Sequence, residues 1–238
     1  MSTRKVLMGA VCTFISTAAI VPASAQSGGY IRGDLGWSGS VNANIHDRNF
    51  PVDHSITGAN GNAGTLSDTG SGWFGGFGGG LEFLPNFRVD VVYTYRGDYH
   101  LDQTDEALPP HQFKANLSSN AVMTTAYVDF PIDPSMTAFA GLGVGWSDVK
   151  MSNFSSNGNV APGGTNDNFA WQVTAGVGFP ILENVKMDLF YRYFDGGHLQ
   201  TAAGSVTSGG KVVGTYSGAD GALHAHEVGV SLRFLLGQ

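Results

Sequence analysis

The chain has 238 residues, of which 42% are apolar, 11% aromatic and only 13% charged, with 35 glycines and a single cysteine. Many aromatics with few charges exclude a disordered chain, a formal net charge of −7 excludes a general nucleic-acid partner, and one cysteine excludes a disulfide framework. After residue 25 no apolar run reaches the roughly 20 residues that a spanning helix requires.

Taken in chain order, Arg4 and Lys5 precede an apolar stretch from Val6 to Val21 that closes on Ala23-Ser24-Ala25. That is the layout of a secretory signal peptide, so the expected organisation is a cleaved segment, 1–25, and one domain over 26–238. Thr13, Ser16 and Thr17 interrupt the stretch and no basic stop-transfer residues follow it, which speaks against a retained anchor.

Period-two alternation then predicts eight strands, near 29–38, 72–83, 87–97, 119–130, 136–147, 168–179, 185–195 and 224–234. Each has about ten residues, the length with which a tilted strand crosses a bilayer. The second reads GWFGGFGGGLEF and invites comparison with a dinucleotide loop. Leu81 stands where the third glycine of that motif must fall, no helix follows, and Trp73, Phe77, Leu81 and Phe83 keep period two. Short connections at 84–86, 131–135 and 180–184 alternate with long Gly-, Ser-, Asn- and Asp-rich ones at 39–71, 98–118, 148–167 and 196–223. The expected fold is all-β: an eight-stranded antiparallel up-and-down transmembrane barrel with short periplasmic turns and four long extracellular loops.

The side chains sort accordingly. Trp37, Trp73, Trp146 and Trp171 fall on the apolar face beside the long loops, and Phe83, Phe87, Phe130, Phe179 and Phe234 beside the short turns or the C-terminus, as two interfacial girdles. The opposite face carries Arg32, Arg88, Arg96, Lys186, Arg192 and Arg233 against Asp34, Glu82, Asp90, Asp129, Asp188 and Glu227. An eight-stranded lumen is just wide enough for side chains, so this balance predicts a buried ion-pair network rather than a pore. Counting back from the short turns sets Glu82 opposite Arg88 and Gly78 opposite Val92, and likewise Gly178 opposite Lys186 and Gly176 opposite Asp188. The inward glycines are read as space for that network.

Tyr30-Ile-Arg-Gly-Asp-Leu-Gly36, Ala126-Tyr-Val-Asp-Phe-Pro131, Phe139-Ala-Gly-Leu-Gly-Val-Gly-Trp146, Asp188-Leu-Phe-Tyr-Arg-Tyr-Phe-Asp195 and Glu227-Val-Gly-Val-Ser-Leu-Arg-Phe234 resemble small porin-family outer-membrane barrels of Gram-negative bacteria, the group of surface antigens, opacity proteins and haemin-binding proteins. The resemblance implies a protein of the cell outer membrane, not an enzyme, with a structural or surface-interaction role in envelope integrity, adhesion or antigen display. Expected partners are outer-membrane lipids and lipopolysaccharide, host or envelope ligands at the loops, and the barrel-insertion machinery at strand 227–234, although Leu235 to Gln238 follow the aromatic that usually ends such a strand. The alternative is a narrow porin-like channel, or capture of haem or metal by loop histidines. All seven histidines, His46, His54, His100, His111, His198, His224 and His226, are placed in the long loops or at their rim, and His224 with His226 would share one side of a strand. No cofactor is otherwise expected. A lipid-A esterase site is not expected either, since His54-Ser55 lies in a long loop.

Overall fold

The computed structural model describes residues 28–42, 46–47, 71–104, 112–156, 159–160, 162–216 and 219–237, so the segment expected as a signal peptide, His54 and His111 lie outside the described residues. Eight long strands dominate: β1 (Gly28–Asn42), β2 (Gly72–Leu84), β3 (Phe87–Thr104), β4 (Gln112–Asp133), β5 (Met136–Ser156), β6 (Gly164–Leu182), β7 (Val185–Gln200) and β8 (Ala219–Leu236). Each pairs antiparallel with its chain neighbour and β8 pairs back onto β1, closing an eight-stranded barrel. Closure leaves the barrel wall without an edge, as a lipid solvent demands. Leu35, Phe77, Leu142 and Trp146 stand 60–69% exposed on the outer wall, and hydrocarbon chains cover such a surface.

The strands run further than the ten-residue template. Most of the stretches expected as loops at 98–118 and 148–167 are paired ladder, and the long segment at 196–223 contains a hairpin, Gly204–Ser208 with Lys211–Tyr216. A short strand, Asn159–Val160, bridges that hairpin to the end of β5, and His46–Asp47 pairs with Ala219 and Asp220. His46, His100 and His198 are consequently strand residues rather than loop residues, while His224 and His226 stand on the last strand as expected. The reason for the difference is an inversion of pattern. Within the membrane the outer face is apolar and the lumen polar; past the tryptophans Lys150 and His198 point out while Leu117, Val149, Met151, Leu199 and Leu223 point in, all at most 1% exposed. Period two continues with its sign reversed, so a search for an apolar outer face stops too early.

The three short turns share one geometry. Each is a two-residue turn, 85–86, 134–135 or 183–184, preceded by a one-residue bulge: Leu84 pairs with Phe87, Asp133 with Met136 and Leu182 with Val185. Phe130-Pro-Ile and Phe179-Pro-Ile occupy equivalent places, the proline sitting next to the bulge, where its missing N–H disturbs the ladder least. Asp133 Oδ1 accepts from Ser135 N at 2.7 Å and Ser135 Oγ at 2.6 Å, and these bonds hold the carboxyl below the usual carboxylate range. This geometry leaves the first register as expected, with Glu82 opposite Arg88 and Gly78 opposite Val92, although Phe83 is the bulged residue and not the partner of Phe87. It corrects the other register: Pro180 and Ile181 stay in the strand, so Gly178 faces Asp188 and Gly176 faces Phe190. At the C-terminus β8 continues past Phe234, with Leu235 buried opposite Tyr30 and its N–H donating to Asn184 O at 2.8 Å.

Glycine makes room chiefly for rings and neighbouring backbone. A Cβ on Gly80 would lie 2.5 Å from Tyr30 Cζ, one on Gly176 2.6 Å from Phe139 Cζ, and one on Gly229 2.7 Å from Phe190 Cζ. At Gly78 it would run into the Val91 carbonyl oxygen. Among the described glycines, only Gly178, 2.6 Å from Asp188 Oδ1, makes room directly for a charge.

Candidate functional site

The lumen fills in layers, rising from the periplasmic turns. In the lowest, Arg233 forks onto Asp188 (Nε to Oδ2 2.7 Å, Nη2 to Oδ1 2.8 Å) and reaches Glu82 Oε1 at 2.9 Å, where Lys186 Nζ also lies at 3.4 Å. Arg88 donates to Asp129 Oδ1 at 3.0 Å. Above it, Arg32 forks onto Asp34 at 2.9 and 3.0 Å and bonds Asp90 Oδ2 at 2.6 Å, with Tyr30 OH donating to the same oxygen at 3.2 Å. In the highest, Glu227 accepts from Arg96 Nε at 2.6 Å and Arg192 Nε at 2.5 Å. All twelve lumen charges named from the sequence have an opposite charge within 4.0 Å. Burial of this kind is tolerated only with such pairing.

The sequence reading did not assign an aromatic frame for these cations. Arg88 lies 4.1 Å from the Tyr127 ring centre, Arg96 3.6 Å from Phe194 and Arg192 4.7 Å from Phe74, and Phe74, Tyr127, Phe139 and Phe190 form one buried cluster. The signal was available in Phe139, Phe190 and Phe194, which occupy inward positions of the period-two pattern.

Beyond the tryptophan level the barrel interior changes character. Tyr99, Leu117, Val149, Met151, Leu199, Leu223, Ala170 and Ala225 are all at most 1% exposed and fill the extracellular end with a largely apolar plug, in which Ser119, Ser147 and Thr201 are also buried. Tyr99 follows Gly97, the partner of Trp73, and so lies outside the membrane-spanning segment; burial pushes its hydroxyl up to about 12. A hydrated path along the axis would have to cross this plug, where the apolar side chains offer an ion little to replace its water.

On the outer wall the four tryptophans stand 40–60% exposed, with Trp37 paired to Trp73 and the Trp171 ring tilted against Tyr193 at 5.3 Å. Phe83, Phe87, Phe130 and Phe234 are 38–54% exposed near the turns, and Phe179 is half-buried on the same wall. His224 and His226 also lie outside the barrel. Tyr191 OH is 2.6 Å from His226 Nδ1, Tyr193 OH is 3.3 Å from His224 Nδ1, and Asp195 Oδ2 is 3.4 Å from His224 Nδ1. Among the described residues no group of three or more His, Cys, Asp or Glu side chains converges as a metal site.

A closed barrel with an apolar outer wall, aromatic girdles and a neutralised lumen defines an integral outer-membrane protein. Residues 7–234 match the outer membrane protein beta-barrel domain family, and the chain belongs to that family. It is 30% identical over 191 residues to outer membrane protein PagN of Salmonella typhimurium, covering 74% of this chain and 77% of PagN. It is 29% identical over 155 residues to RC1281 of Rickettsia conorii, named as a candidate adhesin, and spans 60% of that protein's length. Among solved structures it is similar to Neisserial surface protein A, with a TM-score of 0.43 and 16% identity over 87% of this chain and 96% of that one.

Proposed function

We propose that the protein is a sealed barrel that carries a contact surface on the outside of the cell, serving adhesion or envelope interaction, and that it is neither a pore nor an enzyme. The observation that carries this reading is the apolar plug. It blocks the axis, and it gives the strand extensions a core of their own, so the hairpin Gly204–Ser208/Lys211–Tyr216 and the segment Asn159–Val160 project from a packed base. A binding surface gains affinity when it is held in place before contact, because less ordering entropy is lost. The name given to RC1281 supports the adhesive reading.

In this account the wall rests in outer-membrane lipid and lipopolysaccharide, the last strand engages the insertion machinery, and host or envelope ligands meet the extensions. The test is display of the protein on a non-adherent Gram-negative host. Replacing residues 204–216 by a two-residue Gly-Gly connection is expected to abolish cell attachment while the barrel keeps its heat-modifiable gel shift. Undiminished attachment by the deletion variant would sink the proposal.

A further inference from the structure

The outer wall is not uniform. Between β1, β8, β7 and β6 it has a shallow, open apolar groove flanked by Leu35, Leu189, Tyr191, Val228 and Val230. The floor is backbone, because Gly36, Gly229 and Gly176 carry no side chain toward the lumen: their Cβ positions are taken by the interior rings of Phe74, Phe190 and Phe139. The groove faces the hydrocarbon layer: Leu35 and Val230 pair with each other on the lipid-facing rows below Trp37, and Val228 pairs with Trp37 itself at the upper end.

Above the groove, the same rows of β7 and β8 carry Tyr191, Tyr193, His224 and His226. Tyr191 belongs to both features: its ring borders the groove and its hydroxyl meets His226 Nδ1 at 2.6 Å. Tyr193 lies 5.2 Å from the His226 ring edge-on and is stacked on His224 at 6.3 Å. The cluster sits beside Trp171, at the depth where outer-leaflet headgroups begin.

The geometry points to a binding site for one phosphorylated, multiply acylated lipid of the outer leaflet, lipopolysaccharide through its lipid A portion. One acyl chain lies in the groove and a phosphate is held by His226, with His224 beside it. Tyr191 fixes the His226 ring through Nδ1, which turns Nε2 to the other side as the donor toward the phosphate. Among the described residues, the groups that face the two imidazoles are Tyr191, Tyr193 and Asp195 on β7, with Gly39 of β1 opposite His226. Asp195 lies against His224 and not His226, which places the phosphate at His226. The inference rests on the outer-membrane placement of the barrel and is independent of what its extracellular surface contacts.

The test is native mass spectrometry of the folded full-length protein in detergent, with bis-phosphorylated lipid A, dephosphorylated lipid A and inorganic phosphate as probes. Loss of a charge-assisted bond corresponds to roughly tenfold in affinity, so H224Q/H226Q is expected to retain bis-phosphorylated lipid A at least about tenfold less than wild type. K150A removes an exposed cation three strands away and is expected to retain lipid A as wild type does. Ala175→Phe, filling the groove from the lipid side, is expected to weaken both lipids, and inorganic phosphate alone is expected not to compete. Equal retention by wild type and H224Q/H226Q, equal retention of the two lipids, or unchanged binding by A175F would each overturn the site. Heat-modifiable mobility checks the folding of every variant, and cell attachment checks the surface role separately.

Discussion

Glu227 shows most directly how the lumen is held. It is fully buried between the Arg96 and Arg192 guanidiniums, and Glu227→Gln would leave two cations facing a neutral amide. Breaking a buried pair from one side costs about 3–5 kcal/mol. The variant is expected to lose its heat-modifiable band at a clearly lower urea concentration than wild type, whereas an exposed rim substitution such as K150A should not move that midpoint. Glycines offer a second test. Gly78→Leu drives a side chain into the β3 backbone and is expected to prevent folding, while Gly33→Leu, with nothing within 4 Å of its Cβ, should fold normally. Tyr99 adds a pH signature. Its ordinary value of 10.0 rises to about 12 in the folded protein, so the folded state holds the proton more tightly; the stability this contributes is complete below pH 10 and is lost as pH rises from 10 toward 12. Tyr99→Phe should flatten the alkaline fall in thermal stability over that interval, and an unchanged fall would show that the buried hydroxyl plays no part.

Among the strands, the seam between β1 and β8 closes the barrel, and the residues after Phe234 belong to it. Truncation after Phe234 removes the Leu235 pairing with Tyr30 and the bond to Asn184. Refolding into lipid vesicles should become slower and the folded band less heat-resistant; unchanged behaviour would mean that closure is complete at the aromatic. The same elements show what could be read from sequence and what could not. The alternation from Phe87 to Arg96 sets both faces of β3, because a one-residue slip would turn every charge into the lipid. The first register follows from counting, since the bulge at Phe83 compensates the shorter turn. The second does not, because Pro180 and Ile181 look like turn residues while the chain keeps them in the strand. The extensions above Trp146 and Tyr193 escaped a lipid-facing template because polar residues there face out and apolar ones in. Of the candidate site, inward charges such as Arg32 and Asp34 are legible from period two. The pairing of particular partners is not: Arg96 and Glu227 are 131 positions apart and meet only because the barrel closes.

Taken whole, the molecule has a neutralised polar interior at membrane depth, an apolar stopper at its extracellular end, and a sheet extension beyond it. These three parts fit a protein that holds a surface in place and passes nothing through its axis. On the outer wall, His226 is tied to Tyr191 and His224 to Tyr193. Current across planar bilayers into which the folded, full-length protein has been inserted tests the sealed lumen most directly. The account predicts currents indistinguishable from protein-free bilayers at neutral pH; discrete, reproducible single-channel steps that scale with salt would contradict it.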